Sequence, residues 1–431
     1  MSTDDRPLAS AASALVDGRR DPVEYVATCH DRIDAIESDV RAWVDGPKPR
    51  TQLTAEAEAL ADRYPDPEDR PSLFGVPVGV KDIFHVDGLP TEAGADIPAS
   101  EVVGPESEAV SRLVDAGALV AGKTVTTEFA YFDPGPTRNP HNLGHTPGGS
   151  SSGSAAAVAA GMVPLALGSQ TAGSVIRPAA FCGIVGFKPS HGRVPIDGVL
   201  ALAPSLDHVG LFTQDVAGAT RAASVLTDAW RPAATTRPTV GVPDGPYLDQ
   251  AEERGRDAFE QTVAALADGG YEVHRVSLFD DIDRVNDQHG RLMAAETAQS
   301  HHDWFDRRGD AYGPEMRALL KEGQGVSVGD LADARRFRTR LCERVEDRLD
   351  EHDVDVVVSP SAPGPAPEGI DDTGDPVMNA PWTTTGQPTV ALPTGHVDGL
   401  PVGVQVTARF GADERLLAWS DGLADSVRGT V

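Results

Sequence analysis

The sequence predicts an α/β fold built on one large mixed β-sheet with helices on both faces. Three observations lead there. From Leu73 to about residue 225, short apolar runs alternate with amphipathic stretches, the pattern of a layered α/β chain. Later runs at 239–244, 271–278, 353–363 and 400–408 carry the same apolar character, so they read as strands of the same sheet, not as a second domain. No internal repeat is visible in the 431 residues.

In chain order, residues 8–64 read as helices, because PVEYVATCHDRIDAIESDVRAWV and LTAEAEALADRY place apolar residues at helical spacing. FGVPVGVKD, ending at Asp82, is a buried strand that delivers a lysine to a loop. SEAVSRLVDAG (107–117) is an amphipathic helix, and ALVAGKTV after it a strand. The Pro/Thr-rich stretch RPAATTRPTV (231–240) reads as a connector within one unit. A strand, a helix over 252–268, a second strand and helices to about 350 follow. The expectation is a single domain over 1–431. Its parts are N-terminal helices (1–70), a core (71–225), a helical and strand region (226–350) and a C-terminal return to the core (351–431).

Hydrophobic residues make up 40% of the chain, enough for a full core. Acidic residues number 66 against 37 basic, a formal charge of −29. Lysine occurs only at 48, 81, 123, 188 and 321; every other basic residue is arginine. Such a surface suits high salt and argues against nucleic-acid or anionic-membrane partners, which need basic patches. The acidic, polar start MSTDDRPLASAAS lacks a signal pattern, and no run reaches the ~20 apolar residues of a membrane span. Cys29, Cys182 and Cys342 are odd in number and far apart, suggesting neither disulfides nor a zinc site. The expectation is a cytoplasmic protein.

Two motif matches fail on context. GALVAGKT (117–124) has the letters of a phosphate loop, but its first glycine follows a helix and GKTVTTE reads as extended chain. GSSSG (149–153) has the letters of a nucleophile elbow centred on Ser151, but a long Pro-rich loop precedes it where a strand is required.

What survives is Lys81 in GVPVGVKD, Ser150 in PGGSSSGSA and Ser174 in QTAGSVIRPA. The apolar stretch AAAVAAGMVPLALG between the two serines must be buried, so a packed scaffold holds both. With TEFAYFDPGPTRNP, CGIVGFKPS, DGVLALAPSLDHVG, SPSAPGPAPEG and PTVALPTGHVDGLPVGVQV, these motifs resemble the amidase signature family. Members cleave amide bonds with a Ser-cisSer-Lys triad. The resemblance implies Ser174 as nucleophile, Ser150 as the cis-peptide serine that relays the proton, and Lys81 as base. It also implies an oxyanion hole of backbone N–H groups at Thr171, Ala172, Gly173 and Ser174. A serine hydroxyl needs a base. A lysine can serve only if an apolar pocket lowers its pKa, whereas arginine does not deprotonate. The alternative is that Lys81 pairs with Asp82 or another carboxylate.

The chain departs from the commoner family pattern at Gln170, where an acid is usual, and at Ala172, where glycine is frequent. If position 172 needs positive φ, alanine costs about 1 kcal/mol there; otherwise its methyl crowds the acyl side. Arg177, one position later than in the broad pattern, is similar to the branch acting on small amides that carry a carboxylate. It either clamps a substrate carboxylate through two parallel hydrogen bonds or pairs with a carboxylate of the protein. Tyr131, Asp133 and Trp382 are further pocket candidates. The reading is an amidohydrolase acting on a small-molecule amide, with no cofactor and no metal. Its rivals are a tRNA-dependent amidotransferase A-subunit and a non-catalytic protein on a degenerate amidase fold. A homodimer is the assembly that the resemblance suggests.

Overall fold

A computed structural model describes residues 7–431; the residues Met1–Arg6 of the N-terminal reading lie outside the described residues. Ten strands form one sheet: β1 Pro77–Lys81, β2 Leu119–Thr124, β3 Leu165–Gln170, β4 Val185–Lys188, β5 His208–Thr213, β6 Val240–Pro243, β7 Val273–Val276, β8 Val356–Pro360, β9 Thr389–Val397 and β10 Leu400–Ala408. Their order is β2-β1-β3-β5-β4-β9-β10-β8-β6-β7. Parallel pairs occupy both flanks (β2-β1-β3 and β8-β6-β7), and the pairings from β3 through to β8 are antiparallel. The fold is thus a single mixed sheet flanked by helices, as the sequence predicts.

Side-chain alternation shows why both faces must be covered. Along β3, Leu165 and Leu167 join one buried cluster while Ala166 joins another. Val120 and its neighbours Leu119 and Ala121 divide likewise, as do Val390 and Leu392 against Ala391. Successive residues of a strand point to opposite faces, so the two clusters are the two sides of the sheet. To the second the helices Ser152–Ala159 and Ile176–Phe181 contribute Ala155, Ala156, Ala157 and Ala179. Small side chains let these helices approach the strands closely. Gly168 of β3 is needed for the same reason, because a Cβ there would lie 2.8 Å from Ser151 Oγ.

The two motif mismatches have structural outcomes. Gly117–Thr124 runs into β2, and Lys123 donates to Asp82 Oδ1 at 2.6 Å and to Thr91 Oγ1 at 3.0 Å. The Ser151 hydroxyl donates to the Ser169 carbonyl and accepts the Ser169 N–H, which makes it part of the scaffold. Among the described residues no helix is long and apolar enough to cross a membrane.

Most ion pairs are exposed, as in Arg254–Asp398 and Arg348–Glu351, and such pairs contribute little each. Self-repulsion from the charge of −29 therefore dominates the surface electrostatics. The melting temperature is expected to rise between about 0.1 M and 1 M KCl, as the screening length falls from about 10 Å to 3 Å. A flat or falling melting temperature across that range in thermal denaturation would show that the charge does not limit stability.

Candidate active site

Strand alternation puts Val78 and Val80 in the first cluster, so Lys81 faces the side of the small-residue helices. Parallel pairing of Val80 with Leu167 sets the ends of β1 and β3 side by side. The helix Ser152–Ala159 begins just after Ser150, and the helix Ile176–Phe181 just after Ser174. The sheet edge and two helix starts therefore converge.

There Lys81 Nζ donates to Ser150 Oγ at 2.7 Å and to Ser169 Oγ at 2.8 Å. The Gly149–Ser150 peptide bond is cis. Lys81 is fully buried, and burial holds its pKa well below the 10.5 of free lysine, with the Asp207 carboxylate acting in the opposite direction. The alternative pairing with Asp82 does not occur. Asp82 is taken by Lys123 and by the N–H groups of Glu92 and Ala93. Ser169 escaped the sequence reading, where LALGSQ looks like any buried strand.

Ser150 and Ser174 line one pocket of about 20 Å³, together with Tyr131, Arg177 and the turn at 171–173. Ser174 retains 8% exposure, and among the described residues its hydroxyl makes no hydrogen bond within the protein. The N–H groups of Ala172, Gly173 and Ser174 also lack an acceptor there. The turn is braced from behind. Gln170 Oε1 accepts the N–H groups of Val175 and Ile176 at 2.8 and 3.0 Å, capping the short helix. Its Nε2 donates to Thr383 Oγ1, which in turn donates to the Ala172 carbonyl. A neutral amide thus fills the place where an acid was expected. Ala172 is not among the positive-φ residues, so its methyl is unstrained. Gly173 is required for space: a Cβ would meet Asn379 Oδ1 at 2.5 Å and Arg177 Nη1 at 3.1 Å.

Arg177 resolves neither wholly as a clamp nor as a salt bridge. Its Nε donates to the Thr373 carbonyl at 2.7 Å and its Nη2 to the Gly149 carbonyl at 2.9 Å. Nη1 is buried without a partner at the pocket wall. Burial lowers its pKa to about 10, partly offset by Asp375 and Asp372, neither of which is in ion-pair contact. Tyr131 lines the pocket half-buried, and burial pushes its hydroxyl up to about 12. Asp133 lies further out, in a cavity of about 460 Å³ with Glu315, Asp371, Asp372 and Asp375. Trp382 corrects the sequence reading. It is 1% exposed, packs on Tyr247 and Phe279, donates to Tyr247 Oη, and does not reach the pocket. Ala130, Phe132, Leu202, Met293, Thr373 and Pro376 are the walls that sequence reasoning missed. They come from separated loops and helices, with no local signature. Among the described residues, no three His, Cys, Asp or Glu side chains form a metal-binding group.

A mixed sheet whose strand ends bury a lysine against a cis serine marks a class of amide-bond enzymes, and comparison with known proteins agrees. The Amidase family model matches residues 24–417, and the chain belongs to this family, whose enzymes act on C–N amide bonds. The glutamyl-tRNA(Gln) amidotransferase A-subunit of Roseiflexus sp. (strain RS-1) is 32% identical, over 96% of this chain and 95% of the relative. Its counterpart in Exiguobacterium sibiricum is 29% identical over 95% of each. A crystal structure of an amidase has a TM-score of 0.90 at 32% identity, covering 98% of this chain and 100% of that one. A peptide amidase in complex with the competitive inhibitor chymostatin has a TM-score of 0.85 at 25% identity, covering 99% and 98%.

Proposed function

We propose that this enzyme cleaves the amide of a small, carboxylate-bearing compound through an acyl-Ser174 intermediate. The observation that carries the reading is the hydrogen bond from buried Lys81 to Ser150, in the pocket that Ser150 shares with Ser174. Ser174 Oγ attacks the carbonyl carbon as its proton passes to Ser150 and on to neutral Lys81. The oxyanion rests on the 171–174 turn, whose free N–H groups suit a developing negative charge. Collapse breaks the C–N bond as Ser150 returns the proton to the leaving nitrogen. Water then attacks the acyl-enzyme by the same relay and restores Ser174.

The free Nη1 of Arg177 supports a carboxylate on the substrate, since one N–H edge of the guanidinium stays unmatched within the protein. Glutamine is one small amide of this kind. Whole-length similarity to the amidotransferase A-subunit gives that substrate, with ammonia passed on inside an assembly, the stronger support from comparison. Gln170, Arg177 and the likeness to amidase structures favour simple hydrolysis.

Assays of glutamine, other carboxylated amides and uncharged amides separate these readings. Arg177→Lys is expected to raise KM for carboxylated amides by about 10-fold or more while leaving uncharged amides less affected, because lysine loses the planar fork. Equal losses on both substrate classes would leave Arg177 only its structural bonds to Gly149 and Thr373. Glutamine turnover that appears only in a copurified heteromer would decide for the transferase.

A further inference from the structure

We propose that Asp207 is a positioning residue of this site, tying the oxyanion turn to the loop before β5 and presenting one negative charge to Lys81. The inference rests on the Ser174–Ser150–Lys81 reading above. Part of Asp207 stays accessible, yet both carboxylate oxygens are engaged inside the protein. Oδ1 accepts the Thr171 hydroxyl at 2.6 Å, and Oδ2 accepts the N–H groups of Leu202 and Ala203 at 2.9 and 3.0 Å. One carboxylate therefore holds the first residue of the turn and the loop whose Leu202 walls the acyl pocket. Ser169, the second acceptor of Lys81, lines a void of about 10 Å³ together with Thr171 and Asp207. Lys81 thus touches, through its bond to Ser169, the wall of the void that Thr171 and Asp207 also line.

The other charged groups nearby are already occupied. Asp82 is paired with Lys123 on β2. Glu296, on the helix Ile282–Ser300, accepts from Arg335 and Ser205. His208 is held neutral by burial, with Lys188 and His191 adding to that effect, and its Nδ1 lies on the Leu206 carbonyl. Asp207 is left as the carboxylate whose charge bears on Lys81. Burial raises its own pKa to about 6, so the charge is present above that pH. Its field opposes the burial of Lys81 and keeps the lysine a strong enough base to take the serine proton. Asp207 itself exchanges no proton in the reaction.

The test is the pH profile of kcat/KM for wild type, Asp207→Asn, Asp207→Glu and Thr171→Val, with Ser174→Ala as the control. Loss of the negative charge favours neutral Lys81. Asp207→Asn should therefore move the acid limb down by roughly 1 pH unit and lower kcat roughly 10-fold. Asp207→Glu should restore the limb. Thr171→Val should lower kcat without moving the limb. An unmoved limb in folded Asp207→Asn overturns the proposal. Should that variant not fold, unchanged kcat in Thr171→Val overturns it instead. Full turnover by Ser174→Ala would sink the triad reading, and this inference with it.

Discussion

Ser174→Ala is expected to lower kcat by about 10⁴- to 10⁶-fold, as when the nucleophile of a serine enzyme is removed. Ser150→Ala should come close to it. Lys81 would then face a gap where its proton donor stood, and the 2.7 Å bond would be gone. Ser151→Ala supplies the contrast. Its hydroxyl bonds only the backbone of Ser169, so catalysis should survive with a stability loss of about 1 kcal/mol. Mass spectrometry of wild type quenched during turnover should find the acyl group on the peptide containing Ser174, and none in Ser174→Ala. An adduct on Ser151, or rapid turnover by Ser174→Ala, would reassign the nucleophile. The sequence allowed this competition, because GSSSG carries the letters of an elbow. Only the strand-free approach to it argued against Ser151.

The strands were legible because each carries a dense apolar run. That Lys81, Ser150 and Ser174 belong together came from the resemblance of their motifs to the amidase signature family. What lies between the motifs was not legible. Arg177 is held by carbonyls 28 and 196 residues away in sequence, so neither of its expected roles described it. Trp382 stood among the pocket candidates although nothing local in the sequence fixes it there. Its partner is Tyr247, 135 residues away, whose hydroxyl also bonds Ser359, Gln405 and the Met378 carbonyl. Asp207 and Ser169 are ordinary letters in buried segments. Their bearing on Lys81 exists only once β1, β3 and β5 lie in one sheet. Polar groups that meet across a fold leave no periodicity for a sequence to display.

Lys81→Met should abolish activity and stabilise the protein at the same time. The base is lost, so kcat should fall by about 10⁴-fold or more. The stability effect follows from linkage. Burial depresses the folded-state pKa of Lys81 well below 10.5. Between those two values the unfolded chain holds a proton that the folded chain lacks, so wild-type stability rises with pH across that window. Below the folded pKa the whole cost of burying the amine is present, and it disappears as pH approaches 10.5. Methionine fills a similar volume without that cost. Its advantage should be about 1–2 kcal/mol at neutral pH, in the range of substitutions that relieve strained functional groups. It should shrink steadily toward pH 10.5. Thermal denaturation of both proteins from pH 6 to 10.5 reads this directly, as melting curves that converge with rising pH. A variant that is inactive yet less stable at neutral pH would mean that Lys81 is held charged by partners, as an ion-paired lysine would be. A base that must be neutral and a lysine that prefers charge are then the same residue, and its burial between Ser150 and Ser169 is a cost in stability that catalysis requires.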